Sequence, residues 1–145
     1  MAVTAYPSLR FRYMLATGQI NFATDVFKVV LMDASAFVFD PVQHATLSNI
    51  QSLELATAYG YTRDERVLSG VLIAQGATNA SPYSSVVWND AIWLASGGTI
   101  GPANAACIYD DTVTEKTVIG AIVSDLWVTA TDGNSLTLVA PRVII

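Results

Sequence analysis

Apolar residues in this chain fall into short runs that are separated by turn-forming residues. Runs of this kind, rich in β-branched and aromatic side chains, are typical of β-strands. The run Val26–Met32, which ends at Asp33, predicts a buried strand. Many short strands separated by turns predict a mainly β fold, an antiparallel β-sandwich or barrel. The other runs that predict strands are Val67–Ala74, Ser85–Leu94, Asn104–Tyr109, Lys116–Val123 and Ser135–Val139.

The segment Pro7–Thr17 fits two patterns. Its large apolar residues alternate with arginines as in a strand, but Leu9 and Tyr13 are also spaced as on one face of a helix. Ser8 is a suitable N-cap for that helix, and Gly18 is placed to end it. We therefore predict a short N-terminal helix.

Polar stretches that contain glycine predict the connections. Ala58–Arg63 predicts a turn and Gly76–Ser85 a loop, while the Asp-Gly pair in Thr131–Asn134 predicts a tight hairpin turn. The stretch Asp33–Thr57 predicts a long excursion, with a short helix or strand near Leu47–Leu55.

Charged residues are scarce along the whole chain. They make up 13% of 145 residues, against 52% hydrophobic residues, and the net charge is −5. No linker divides the sequence, so residues 1–145 are predicted to form a single domain, which would expose about 7,000 Å². So few charges predict that neighbouring subunits cover much of this surface. The alternative is a monomer whose surface is rich in Ser, Thr, Asn and Gln.

The same composition excludes several classes of partner. An acidic chain without a basic stripe predicts no nucleic-acid partner. Apolar runs such as Val118–Val123 are shorter than the roughly 20 residues of a membrane helix, so no membrane contact is predicted. Met1–Ala5 lacks the features of a signal peptide, and we expect the chain to be made and folded in a cytoplasm. Cys107 is the single cysteine, which predicts neither a disulfide nor a cysteine-based zinc site.

Few residues suggest chemistry. His44 is predicted to be a solvated or hydrogen-bonded loop residue, although a role as base in a small hydrolase is the alternative. Cys107 is predicted to be a buried small hydrophobe. Asp110 and Asp111 could hold Ca²⁺, but a strand-ending turn whose carboxylates accept backbone N–H groups is favoured. Gly97–Pro102 lacks the Lys-Ser/Thr of a phosphate loop and is predicted to be a flexible connection. We predict no catalytic residue, no cofactor and no metal.

Aromatic and C-terminal residues are the candidates for contact with partners. Trp88 and Trp93 would face opposite sides of one regular strand, so that one packs in the core and the other lies at an interface. The chain finishes on Val143, Ile144 and Ile145, an apolar strand that must be paired or covered. We expect it to dock in its own sheet, and a partner's sheet edge is the alternative.

Several stretches, taken in order along the chain, resemble small virion proteins of tailed bacteriophages. The stretch Asn21–Met32 contains their T-D-x-x-K-V-x-L pattern, preceded by an opening that is similar over Met1–Pro7. Ala58–Thr62 is similar to their Gly-Tyr-Thr turn. Val87–Thr112 is similar to their most recognisable block, with two tryptophans followed by Ile-Tyr-Asp-Asp-Thr. The resemblance covers roughly the whole chain, except for Asp33–Thr57.

This resemblance implies a non-enzymatic structural protein and favours the helix in Pro7–Thr17. The implied function is to decorate and stabilise the exterior of a capsid shell by binding at joints between major capsid subunits. The expected partners are the major capsid protein and copies of the chain itself, as a trimer. One alternative is a minor tail, tail-tube or head-fibre component. Another is a host-glycan-binding module that uses Trp88, Trp93 or Tyr83.

Overall fold

The fold is mainly β, with antiparallel sheets and a short helix near the N-terminus, as the sequence predicts. The computed structural model describes residues 3–76 and 84–145. The helices are α1 (Leu9–Ala16) and α2 (Leu47–Ile50), and a 3₁₀ turn (Gln51–Leu53) follows α2. The strands are β1 (Val3–Pro7), β2 (Phe27–Asp33), β3 (Leu72–Ala74), β4 (Ser85–Val87), β5 (Ala91–Leu94), β6 (Ile100–Asp110), β7 (Val118–Ala130), β8 (Ser135–Leu138) and β9 (Arg142–Ile144).

Helix α1 confirms the helical interpretation of residues 7–17. Ser8 is its N-cap, and the hydroxyl oxygen accepts a hydrogen bond from the Phe11 N–H at 3.0 Å. The same hydroxyl donates to the carbonyl of Val118, which fixes the start of the helix against β7. Strand β1, which directly precedes the helix, was not predicted from the sequence.

A four-stranded sheet in the order β1-β7-β6-β2 is the centre of the fold. Alternate residues of β2 enter two different apolar clusters, Val29 and Leu31 on one face and Val30 and Met32 on the other. The sheet is therefore buried on both faces. Burial on both faces explains why β2 is an unbroken apolar run rather than an alternating one.

Different parts of the chain cover the two faces of the central sheet. The sheet β3-β4-β9 and the two-stranded ribbon β5-β8 cover the first face in a sandwich-like arrangement. Val86 of β4 and Trp93 of β5 belong to the apolar cluster on that face. On the second face, the long excursion of residues 33–57 contributes Phe37, Leu47 and Ile50. This excursion does contain the short helix expected near residues 47–55.

The predicted strands 104–109 and 116–123 correspond to the longer strands β6 and β7, whereas the predicted strands 67–74 and 85–94 do not form single strands. In the predicted strand 67–74, Val67 forms a bridge with Lys28 beside β2, and Gly70 then adopts a φ of +67° that ends any strand. Only Leu72–Ala74 pairs as β3. The predicted strand 85–94 is divided in two, since β4 and β5 belong to different sheets.

Two predicted turns are confirmed by their hydrogen bonds. Ala58 and Tyr61 exchange backbone bonds of 2.9 and 3.0 Å, and the Asn134 N–H donates to the Thr131 carbonyl at 2.9 Å. The second turn nevertheless closes no hairpin, because β7 lies in the central sheet and β8 pairs with β5. Most of the loop predicted for residues 76–85 lies outside the described residues.

The segment 97–102 is not the flexible connection that its glycines suggest. Strand β6 begins at Ile100 and includes Gly101 and Pro102. The last strand, β9, docks in the chain's own sheet as expected, where Val143 pairs with Val86.

We predict that Gly120 sets how closely β1 approaches β7. A Cβ atom at this position would collide with the Tyr6 carbonyl oxygen of the neighbouring strand. Gly120→Ala should lower the free energy of unfolding by about 1–3 kcal/mol, measured by urea denaturation. It should also speed amide hydrogen exchange in β1 more than elsewhere.

Gly133→Ala is the matched control. It adds the same methyl group in open space, at a residue with a φ of +84°. It should cost about 1–2 kcal/mol of backbone strain and leave exchange in β1 unchanged. Equal exchange in β1 for the two variants would contradict the close-approach explanation.

Candidate interaction surfaces

The sequence predicts that one of Trp88 and Trp93 packs in the core and the other lies at an interface, but both lie in the core. Trp88 and Trp93 are 3% and 2% exposed. The ring of Trp88 packs near Phe27, with 5.4 Å between ring centroids, and that of Trp93 near Tyr61, at 6.2 Å. The prediction that they face opposite sides is wrong because it assumed one regular strand, whereas the chain turns between β4 and β5.

Of the three C-terminal residues predicted to contact partners, one is buried and two are exposed. Val143 is buried on the core side of its sheet. Ile144 and Ile145 are exposed and remain available for contact. Tyr83 lies outside the described residues.

The most exposed tryptophan of the described chain is one that sequence reasoning missed. Strand β7 carries three extra residues relative to β6, since Ala105 pairs with Val123 but Ala103 pairs with Val128. The extra length forms a bulge at residues 124–127, the β7 bulge. It exposes 64% of Trp127 and 56% of Leu126.

A single hydroxyl group shapes the β7 bulge. Ser124 Oγ donates to the Leu126 carbonyl at 2.8 Å and accepts from the Leu126 N–H at 3.2 Å. Bulges redirect side chains that would otherwise follow the strand pattern. In the sequence, the polar pair Ser124-Asp125 inside an apolar run was the available signal for this feature.

An apolar groove of about 370 Å³ lies beside the β7 bulge. Ser124 and Val128, which lie on either side of the segment 125–127, both line it, together with Val3 and Val139. Among the described residues that line the groove, Arg142 is the one with a charge. The bulge and the groove together form an apolar surface suited to docking.

His44 has a structural environment. Its Nδ1 accepts a hydrogen bond from the Asp40 N–H at 3.0 Å, and its ring stacks on Phe37 with 5.2 Å between centroids. Burial lowers the pKa of His44, and the nearby Asp40 partly offsets this. His44 is thus the hydrogen-bonded loop histidine that the sequence predicts.

Cys107 and the Asp-Asp pair also have the environments predicted from the sequence. Cys107 is fully buried, and burial raises its thiol pKa. Asp110 Oδ1 accepts the Thr112 N–H at 2.9 Å, which makes the predicted strand-ending turn. Asp111 forms ion pairs with Lys28 and Lys116, so two ammonium groups occupy its carboxylate. Within residues 3–76 and 84–145, no three potential ligand side chains converge as a metal site requires.

A buried polar network lies at the outer edge of β2 and was not predicted from the sequence. The Leu31 N–H donates to the Tyr61 hydroxyl at 2.9 Å, and that hydroxyl donates to Glu54 Oε1 at 2.7 Å. Glu54 is buried, which raises its pKa to about 7; the Tyr61 bond opposes this shift and Asp64 adds to it. The network satisfies the backbone of an edge strand that would otherwise remain open.

We predict that Glu54 makes the fold less stable as the pH rises. Its pKa is about 7 in the folded chain and near 4.5 when unfolded. The folded chain therefore binds the extra proton between these values, so stability declines with rising pH across that window. In Glu54→Gln, which is neutral and keeps an acceptor for Tyr61, the fall in Tm between pH 5 and pH 8 should be smaller.

Glu65→Gln, a change at an exposed glutamate in the same loop, serves as the control and should follow the wild type. Some slope should remain in Glu54→Gln, because burial and a hydrogen bond to Asp25 raise the pKa of Asp110 to about 7. An unchanged slope in Glu54→Gln would show that the Glu54 carboxylate is not desolvated.

In the described part of the chain, no helix has the length and apolar character needed to cross a bilayer. Comparisons of this sequence and structure with protein-family models, curated proteins and solved structures found no match.

Proposed function

We propose that this chain is a structural virion protein that decorates and stabilises a bacteriophage capsid shell. It binds the shell exterior at joints between major capsid subunits and acts together with copies of itself. The observation that carries the proposal is the β7 bulge, which holds Leu126 and Trp127 in solvent beside the apolar groove. The resemblance to small virion proteins of tailed bacteriophages supports the same assignment.

The surface as a whole favours a protein that works inside an assembly. The chain exposes 7594 Å² and carries 12 acidic and 7 basic residues, which is about 400 Å² for each charge. Solubility normally requires a denser distribution of charge. A subunit whose surface is covered by neighbouring subunits does not need that density of surface charge to stay in solution.

Trp127 and Leu126 have the properties of an interface anchor. Tryptophan is enriched among the few residues that dominate binding energy, because a large rigid ring is desolvated at small entropic cost. In our proposal the Leu-Trp pair enters the joint between two capsid subunits, and the groove receives an apolar segment of one of them. Each contact is modest, but many copies repeat it over the shell.

The other candidate residues give no comparable support to glycan binding or to catalysis. Trp88 and Trp93 are packed in the core and have no free face for stacking on a sugar. His44, Cys107 and Asp110 are each engaged in local packing or turns. A tail or head-fibre location would use the same apolar surface and is distinguished by copy number.

We predict that Trp127→Ala abolishes tight binding to shells but leaves the fold intact. Loss of a central anchor costs about 2 kcal/mol or more, roughly a 30-fold loss of affinity. Purified variants should be titrated onto particles that lack the protein, and bound protein measured by sedimentation. Because Trp127 is 64% exposed, the Tm should change little.

Val38→Ala is the control, since Val38 is also strongly exposed but lies in the excursion of residues 33–57. It should bind shells like the wild type. Quantified virions should contain hundreds of copies, about one for each lattice position. A handful of copies for each particle would replace the decoration proposal by a tail or head-fibre role.

A further inference from the structure

We propose that β3 is the edge through which two copies of this chain meet. The two β3 strands pair antiparallel about a twofold axis at Ile73 and join two three-stranded sheets into one sheet of six strands. This inference deepens the proposed function, because it rests on the part in which copies of the chain associate. It also replaces the trimer expected from sequence by a pair.

The hydrogen bonds of β4 determine which way the neighbouring backbone groups point. The Ile145 N–H donates to the Ser84 carbonyl at 2.9 Å, and the Trp88 N–H donates to the Pro141 carbonyl at 3.0 Å. Ser84 and Trp88 therefore direct their backbone groups toward β9. Alternation along the strand directs those of Val86 the same way.

The backbone groups of Ile73 are consequently open to a partner. Leu72 and Ala74 lie opposite Val87 and Ser85, the two residues of β4 that face β3. These pairs make the β3–β4 bonds, so the N–H and C=O of Ile73 point away from β4. Within the described residues, β4 is the only strand that pairs with β3.

A core row of β-branched residues ends at this same edge. Val143 pairs with Val86, and Val86 pairs with Ile73, so the three side chains lie on one face of the sheet. Val143 and Val86 are buried, but Ile73 is 54% exposed. A second copy continues the row with its own Ile73, Val86 and Val143 and covers the exposed flank of the first.

The strand is complementary to itself in size and charge. Antiparallel pairing about Ile73 sets Ile73 against its equivalent and each Leu72 against an Ala74, large opposite small. Residues 67–76 contain no charged residue and no proline. Two acidic chains can therefore approach here without like charges meeting, and the edge lacks the features that usually block strand pairing.

Packing within the described part of the chain does not explain why β3 is apolar. Both Leu72 and Ile73 are more than half exposed although they point to opposite faces of the sheet. A neighbouring strand with its attached sheet covers an edge and extends both faces at once. Pairing with a second copy accounts for both exposures.

Two variants at Ile73 test the pairing. Sedimentation equilibrium of the purified chain should show a concentration-dependent dimer. Ile73→Lys should weaken the dimer at least tenfold by placing two ammonium groups at the axis. Ile73→Pro removes the outward N–H but keeps the β3–β4 bonds, and should weaken it similarly. Ile92→Lys is the matched control, since Ile92 is a 49% exposed isoleucine on β5.

Cross-linking gives a second readout of dimer formation, one that does not depend on weakening the dimer. Cys107 is buried, so Ile73→Cys introduces the one accessible thiol of the described chain. Paired Cα atoms at such a site lie about 5.5 Å apart, and a short bis-maleimide should therefore capture dimers. Ile92→Cys under the same conditions should remain monomeric.

Several results would overturn the inference. One is a wild-type chain that stays monomeric at all concentrations, and another is one that forms trimers. A third is a dimer whose affinity is the same in the wild type, in Ile73→Lys and in Ile73→Pro. If the chain is monomeric alone, which overturns the inference, and Ile73→Pro then loses binding to shells, β3 would be assigned to a capsid strand instead. The sedimentation and cross-linking measurements use no shells, so their failure leaves the Trp127 test of the proposed function intact, and the reverse also holds.

Discussion

Burial of one sheet on both faces is the constraint on which the rest of this structure depends. Strands β2, β6 and β7 send alternate side chains into two separate apolar clusters. A sheet of this kind needs a cover on each side, and a chain of 145 residues has little material for both. The thin β3-β4-β9 sheet and the β5-β8 ribbon cover one face, and the excursion of residues 33–57 covers the other.

The distribution of polar groups follows from the same constraint. An edge strand that is buried on both faces cannot leave its backbone unpaired, and the Tyr61–Glu54 network serves the edge of β2. Glu54 and Asp110 have raised pKa values because both are drawn into the interior to satisfy backbone or hydroxyl donors. Glu54 accepts from the Tyr61 hydroxyl, and Asp110 accepts from the Thr112 N–H.

Apolar surface that the thin covers leave exposed gives the molecule its proposed role. Trp127 lies in the β7 bulge beside the groove, and the open edge belongs to β3, the outer strand of the β3-β4-β9 sheet. In our proposals the first contacts the shell and the second contacts another copy. Assemblies with many copies gain stability from the repetition of such modest contacts.

The sequence by itself determined the elements whose causes are local. Ser8 starts α1 through a bond three residues away, and the apolar run before Asp33 is a strand because both its faces need burial. Only the tertiary structure decided which surfaces remain exposed. Trp88 and Trp93 became core because the chain turns between two sheets, and Trp127 became exposed because β7 is longer than its partner β6. Exposure depends on pairing partners distant in sequence, which no local pattern specifies.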